Sequence, residues 1–179
     1  KRGDDFTIVQ KISEIRKEFE EEWEPRFSSI EVPINPYRVF RELENSFDVS
    51  DTIITHDSGY PRDQLVPMWK SLVPRGYISW GKSTQLGYGL GLAIGAKLAS
   101  PDKHVINIMG EAAFGMSGLD IETAVRSGIP IITVVLNNSV MTNYDVLMPE
   151  ASKLFGSNNL GGDYSKIAEG LGAFSQRVE

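Results

Sequence analysis

The sequence predicts an α/β fold in three layers, α/β/α, with helices on both faces of a mainly parallel sheet. Three observations carry this. Short runs rich in aliphatic, β-branched or aromatic residues recur at 52–55, 77–80, 104–109 and 131–136, each of strand length and bounded by Gly, Asn, Asp or Ser. Between them lie segments with apolar residues three and four apart, the period of a helix packed on one side. Strand and helix alternate along the chain, and that alternation builds a parallel sheet covered on both sides.

With 179 residues, 41% of them hydrophobic and 23% charged, the chain has apolar matter for one full-sized core. A net charge of -6 without a Lys/Arg cluster excludes a nucleic-acid footprint and favours small-molecule or protein partners. There is no cysteine, hence no disulfide framework, thiolate metal site or thiol nucleophile. No apolar run approaches the roughly 20 residues of a membrane span, and no signal peptide stands at the start. The expected setting is soluble and cytoplasmic, without a membrane partner. The first residue is Lys1, and residues 173–178 begin to read as a strand just before Glu179, so a piece of a longer polypeptide is expected.

Residues 5–24 place Phe6, Ile8, Val9, Ile12, Ile15, Phe19 and Trp23 on a helical period, with the acidic run 18–24 as its solvated face. Pro25, Pro33 and Pro36 interrupt helix formation and mark an extended linker. The expected division is therefore 1–34 as N-terminal helix and linker and 35–179 as the domain proper. Asn35 is placed as an N-cap with Pro36 at the first helical position, opening a helix to about Ser46. The strand at 52–55 ends in His56-Asp57-Ser58-Gly59, either a ligand-facing turn, where Gly59 lets backbone approach an anion, or an ordinary Asp-Ser-Gly turn. A short helix is expected at 64–72 and a strand at 77–80.

The next loop, Gly81-Lys82-Ser83-Thr84-Gln85-Leu86-Gly87-Tyr88-Gly89-Leu90-Gly91, leads into an apolar helix at 92–99. Gly76 and Gly81-Lys82-Ser83 formally satisfy the P-loop spacing, but the residues between the glycines read as a strand, whereas a P-loop follows its strand. Gly87, Gly89 and Gly91 have the wrong spacing for a dinucleotide fingerprint. A third strand follows at 104–109, a helix at 117–126, and a strand at 131–136 expected to be central and buried on both faces. Residues 143–156 are loop with a short helix, and Asp163 caps a helix at 164–170, with Gly172 after its end.

Glu111 lies just past one strand and Asn138 just past the next. A right-handed strand–helix–strand unit brings those ends together, so both can offer hard oxygen ligands to one cation such as Mg²⁺, completed by water and substrate phosphates. Gly110, Ala112 and Ala113 add small side chains and free N–H groups suited to phosphate oxygens. The competing reading is that Glu111 caps a turn and Asn137-Asn138 end a strand.

The motif Gly110-Glu111-Ala112-Ala113-Phe114-Gly115-Met116, followed by Glu122-Thr123-Ala124, Arg126, Ile129-Pro130 and Asn137-Asn138, resembles the Gly-Asp-Gly to Asn-Asn motif of thiamin-diphosphate-dependent enzymes. The nearest group looks like acetolactate synthase and its 2-oxoacid decarboxylase and lyase relatives. Leu86-Gly87-Tyr88-Gly89-Leu90-Gly91-Leu92-Ala93-Ile94-Gly95-Ala96 is similar to the family's Met-Gly-Tyr-Gly-Leu-Pro-Ala-Ala-Ile-Gly-Ala. The likeness covers nearly the whole chain, and the helix and proline linker before Asn35 look like the entry to the C-terminal diphosphate-binding domain.

The resemblance implies a cofactor, thiamin diphosphate, with Mg²⁺. Glu111 takes the place of the metal-binding Asp, Asn138 gives a side-chain oxygen and Val140 a backbone carbonyl. Ser58 and Gly59 match the turn that holds the diphosphate, helped by Gly110, Ala112, Ala113, Met141 and Thr142. Leu86 falls where a large apolar residue props the bent cofactor, and its N–H with the Thr84 carbonyl would bond the aminopyrimidine edge. Asn143 and Tyr144 would face the reacting centre. His56 is a candidate proton shuttle or a structural histidine.

Two departures stand out. Glu111 for Asp extends the carboxylate by a methylene, and Ala112 for Gly adds a methyl where backbone meets phosphate; weaker metal and cofactor binding than in relatives is expected. The family's activating Glu comes from a pyrimidine-binding domain of a second subunit, for which the stretch before Asn35 is too short. The expectation is half an active site in a homodimer or homotetramer, acting on a 2-oxoacid or acyl substrate. The alternatives are a cofactor-binding or regulatory homologue without catalysis and, with least support, a generic nucleotide-binding α/β domain.

Overall fold

A computed structural model describes residues 6–81 and 83–179. Helices α1 (Phe6–Phe27) and α2 (Pro36–Ser46) precede the sheet. Asn35 caps α2 as expected, its Oδ1 accepting from the Tyr37 amide at 3.0 Å with Pro36 in the first turn. Strand β1 (Thr52–His56) is followed by α3 (Tyr60–Leu65), β2 (Tyr77–Ile78), α4 (Tyr88–Ala99) and β3 (His104–Gly110). Then come α5 (Glu111–Ser117), α6 (Asp120–Arg126), β4 (Ile132–Leu136), α7 (Tyr144–Leu147), α8 (Pro149–Phe155) and α9 (Tyr164–Gly170).

The four strands are all parallel, in the order β2-β1-β3-β4. The chain leaves β1 for β2 on one side and returns across it to β3 on the other. The crevice beyond the carboxyl ends of β1 and β3 is therefore the switch point at which α/β sheets bind ligands. Register aligns Ile54 with Ile106 and Ile132, and Gly110 with Leu136.

Alternation along the strands sends Ile54, Ile106 and Ile108 to one face, against Phe27, Phe40, Leu65, Met68 and Trp69. Met109, Ile53 and Val105 go to the other, against Leu90, Ala93, Ala96, Phe114 and Ile121. Helices α1–α3 thus cover one side and α4–α6 the other, giving the three layers. No helix among the described residues is long and apolar enough to cross a membrane.

Several expected elements are corrected. Pro25 does not end α1, which runs on to Phe27; burial of Phe27 and stacking of Arg26 over Trp23 at 4.2 Å outweigh the lost hydrogen bond. The helix expected at 64–72 spans Tyr60–Leu65 instead, because Pro61 starts a helix well and Pro67 cannot continue one. β2 is two residues long, since Trp80 leaves the sheet to pack edge-on against Tyr88, ring centroids 5.7 Å apart. The helix placed at 92–99 already begins at Tyr88, so Gly89 and Gly91 are helical.

Residues 117–126 do not form one helix. α5 and α6 meet at Gly118, whose backbone lies so close to Phe114 that an added Cβ would stand 2.5 Å from the Phe114 carbonyl oxygen. Within 143–156 there are two short helices rather than one. β4 is an edge strand, half-exposed, and not central and buried on both faces, because no described strand pairs with its outer side. Residues 173–178 form no strand: their backbone joins no ladder among the described residues, and Phe174 is 94% exposed. Lys82 of the P-loop-like triplet, and residues 1–5 of the expected N-terminal helix and linker, lie outside the described residues.

Candidate functional site

The first wall of the crevice is built by β3 and β4. β3 ends at Gly110, which enters α5 with extended backbone and no side-chain cap, leaving the first amides of α5 without an intrahelical acceptor. Glu111, the first residue of α5, is 4% exposed, and its Oε1 accepts from the Val140 amide at 3.2 Å. After β4, Asn137 Oδ1 folds the chain by accepting from the Ser139 amide at 3.0 Å. Asn138 Oδ1 accepts from the same Val140 amide at 3.2 Å.

Val140 forms an antiparallel bridge with Asn159, made by Met141 N donating to Asn158 O at 2.7 Å and Leu160 N to Ser139 O at 2.9 Å. Those bonds use the neighbours' groups and leave the Val140 N–H to Glu111 and Asn138. A carboxylate oxygen and a carboxamide oxygen therefore meet at one backbone amide, and both are hard donors of the kind a cation such as Mg²⁺ takes. Among the described residues no three His, Cys, Asp or Glu side chains cluster as a metal site, so such a cation needs further oxygens from a ligand or water. Tyr164, packed edge-on against Phe114 at 5.6 Å, has its hydroxyl pKa raised by burial and then by the nearby Glu111 charge.

The second wall is the end of β1. Asp57 is fully buried. Its Oδ1 accepts from the amides of Ser58 at 2.9 Å and Gly87 at 3.0 Å, and its Oδ2 from those of Gly87 and Gly89, both at 3.0 Å. Ser58 Oγ donates to the Ser83 carbonyl at 2.6 Å, which also receives Arg62 Nη1 at 2.7 Å. Gly59 adopts φ 83°, and nothing lies within 4 Å of where its Cβ would be. Backbone at Gly59 is thus open to the crevice in a conformation that side chains disfavour.

His56 is fully buried beside the Tyr77 and Tyr88 rings. Its Nδ1 lies 2.9 Å from the Asp57 carbonyl oxygen and so carries the proton, while Nε2 has no partner among the described residues. Burial holds its pKa below the usual value, keeping the ring neutral.

The residues that the resemblance assigns to cofactor and metal line one groove of about 2150 Å³: Ser58, Gly59, Thr84, Leu86, Gly110, Glu111, Ala112, Ala113, Asn138, Val140, Met141 and Thr142, with Asn143 and Tyr144; His56, the candidate proton shuttle, does not line it. The groove continues along the free side of β4 to the C-terminal residues. Sequence reasoning missed Asp57, Ser83, Arg62 and Tyr88. Only Asp57 gave a signal, as an acidic residue directly after a β-branched strand and before a glycine.

A family profile described as thiamine pyrophosphate enzyme, C-terminal TPP binding domain, matches residues 57–179. The probable acetolactate synthase large subunit of Methanococcus aeolicus is 31% identical over 159 residues, 83% of this chain and 26% of that protein. The 2-hydroxyacyl-CoA lyase 2 of Bos taurus is 35% identical over 147 residues, 78% of this chain and 22% of that protein. The acetolactate synthase catalytic subunit of Saccharomyces cerevisiae is 31% identical over 153 residues, 82% and 22% respectively. The chain spans about a quarter of the length of these relatives. With that profile match, the parallel α/β/α sheet and the shared groove at its switch point, the chain belongs to the thiamine pyrophosphate enzymes, as a C-terminal TPP binding domain.

Proposed function

We propose that this chain holds the diphosphate end of thiamin diphosphate through Mg²⁺, as part of an acetolactate-synthase-like or lyase-like enzyme that makes or breaks C–C bonds at a 2-oxoacid or acyl carbonyl. The observation that carries the reading is the convergence of Glu111 Oε1 and Asn138 Oδ1 on the single amide of Val140. Mg²⁺ takes few protein oxygens and keeps places for water and phosphate, which fits Glu111, Asn138 and the Val140 carbonyl. The shared Val140 N–H holds the two side-chain oxygens together.

Ser58, Gly59, Gly110, Ala112, Ala113, Met141 and Thr142 would bind the diphosphate, mostly through backbone N–H groups on small residues. Thr84 and Leu86 would meet the aminopyrimidine, with the Leu86 side chain, which packs on the core beside Met109 and Phe114, as the prop. Bound there, thiamin diphosphate supplies the electron sink that a carbonyl carbon needs when a bond to it is made or broken. The chain's residues orient the cofactor and exclude water on one side. The other side is assigned to a pyrimidine-binding domain of a second subunit, in a homodimer or homotetramer.

Calorimetric titration of the chain with thiamin diphosphate tests this. Saturable binding that depends on Mg²⁺ is expected, and absent or Mg²⁺-independent binding refutes the assignment. A polypeptide carrying this chain together with the pyrimidine-binding domain is expected to consume a 2-oxoacid such as pyruvate only when both additions are made. Activity of cofactor-free protein without them would contradict the enzyme reading.

A further inference from the structure

We propose that Asp57 is a positioning residue that clamps the loop carrying Thr84 and Leu86 onto the Ser58–Gly59 turn, so that loop and turn meet one ligand as a single surface. The proposal rests on the reading of the groove as a thiamin diphosphate site.

Three other capped elements of this chain carry their own caps. Asn35 serves α2, Asp48 the single 3₁₀ turn Val49–Asp51, and Asp163 serves α9, each accepting from an amide two or three residues on. α4 has no local cap: its N-cap is Gly87, at φ 88°. The carboxylate that satisfies its first amides comes from Asp57, thirty positions earlier, at the end of β1. A local cap would stabilise the helix equally. A remote one also fixes the helix start, and the loop before it, against the turn on the neighbouring strand.

Among the described residues the loop is otherwise held by the Leu86 side chain on the core and by Trp80 against Tyr88. Its internal bonds are short-range, Gly81 N to Ser79 Oγ at 3.2 Å and Gln85 N to Ser83 Oγ at 3.2 Å, and Trp80, Thr84 and Gln85 are exposed. Apart from Asp57, the Ser83 carbonyl is its hydrogen-bonded tie to the end of β1, through Ser58 and Arg62. Gly89 allows the close approach: a Cβ there would stand 2.7 Å from Asn107 Oδ1 and 2.8 Å from the His56 carbonyl. Asp57 makes no salt bridge among the described residues, so its charge is balanced by backbone amides at the start of α4. Both oxygens accept, which an amide side chain cannot reproduce.

The test uses Asp57→Asn in the whole chain, and Asp57→Asn with Gly91→Ala in case the single variant folds poorly. Gly91 is exposed in α4 with open space around its Cβ position, so Ala there only favours the helix. Amide hydrogen exchange at Gly87 and Gly89 is expected to quicken more than tenfold while Ile106 keeps its protection. Affinity for Mg²⁺–thiamin diphosphate, which spans the Thr84–Leu86 loop and the Ser58–Gly59 turn, should fall at least tenfold in both variants. Affinity for Mg²⁺–pyrophosphate, which needs only the phosphate end, should fall much less. Equal losses for the two ligands, unchanged affinities, or affinity returning with stability in the double variant would each show a merely structural role and overturn the proposal. Failure of the unmodified chain to bind thiamin diphosphate would overturn the reading of the groove and the proposal with it, an outcome distinct from variants that bind as well as the unmodified chain.

Discussion

Two glycines in the same helix, two residues apart, should respond oppositely to the same substitution. At Gly91 a Cβ meets nothing within 4 Å, so Gly91→Ala is expected to stabilise by about 0.5–1 kcal/mol through helix propensity and the restricted unfolded chain. At Gly89 the added Cβ would stand 2.7 Å from Asn107 Oδ1 and 2.8 Å from both the carbonyl carbon and oxygen of His56. None of these is the end of a flexible side chain: two are β1 backbone, and Asn107 is fully buried. α4 must therefore move outward, an overpacking cost of about 1–3 kcal/mol. The shift also loosens Thr55 Oγ to Gly89 O at 3.1 Å and Gly89 N to Asp57 Oδ2 at 3.0 Å, together about 1–3 kcal/mol. After subtracting the propensity gain, Gly89→Ala should destabilise by about 1–5 kcal/mol, at about 2–4 °C in Tm per kcal/mol for a chain of this size. Urea unfolding followed by far-UV circular dichroism measures both variants. A Gly89→Ala protein as stable as Gly91→Ala would refute the close packing of α4 on β1 and β3.

Phe40 is 1% exposed in the core beneath α2, and Phe40→Ala should cost about 3–5 kcal/mol by the same measurement. Glu111→Gln and Asn138→Ala should each weaken Mg²⁺-dependent binding of thiamin diphosphate by about tenfold or more, since the first removes the carboxylate's negative charge and the second a hard oxygen donor; calorimetric affinities within a factor of two of the original would argue against a metal role. Glu111→Asp with Ala112→Gly shortens the carboxylate and removes a methyl at the phosphate turn, and tighter binding is expected; equal affinity would sink the idea that these two residues weaken the site. Burial holds His56 below its ordinary pKa of 6.5, so the unfolded chain takes up a proton where the folded one does not. Its contribution is fully present above pH 6.5 and lost as pH falls towards the folded pKa. Urea midpoints at pH 7, 6 and 5 should decline less steeply in His56→Gln, and parallel declines would count against a buried neutral imidazole.

The alternation of strands and helices and the two polar strand ends could be read because burial on a sheet face and on a helix stripe leaves a period in the residues themselves. Thr52, Ile53 and Ile54 announced β1, and Asn35-Pro36 announced the start of α2, through local chemistry alone. What could not be read depends on partners distant in sequence. Pro25 looks like a terminator until Phe27 is seen in the core. Ile132 to Leu136 look central by composition, yet strand order leaves them at an edge. In the crevice, Glu111 and Asn138 were legible as polar residues after apolar runs. Asp57 was not, because its role lies in amides thirty residues away.

The two walls of the groove are held in different ways, and this decides what a bound cation can do. The β1 wall is rigid: Asp57, His56 and Thr55 are fully buried, and α4 is pressed against them. The β4 wall is a surface loop in which Asn137, Asn138, Ser139 and Val140 are exposed. It is fastened outward, to residues 158–160, and inward by Glu111 and Asn138 on one amide. Ser139 and Asn143, at φ 60° and 65°, hold backbone conformations that side chains disfavour. Segments so held open at low free-energy cost, and a ligand that binds only the closed form stabilises them by mass action. A cation on Glu111, Asn138 and Val140 would therefore act on the least secured part of the site, and a diphosphate on the same cation would tie that loop to the rigid wall at Ser58 and Gly59. Substitutions that crowd the β1 wall, such as Gly89→Ala, should accordingly be felt first as lost stability, and substitutions at Glu111 or Asn138 as lost affinity in a chain that still folds.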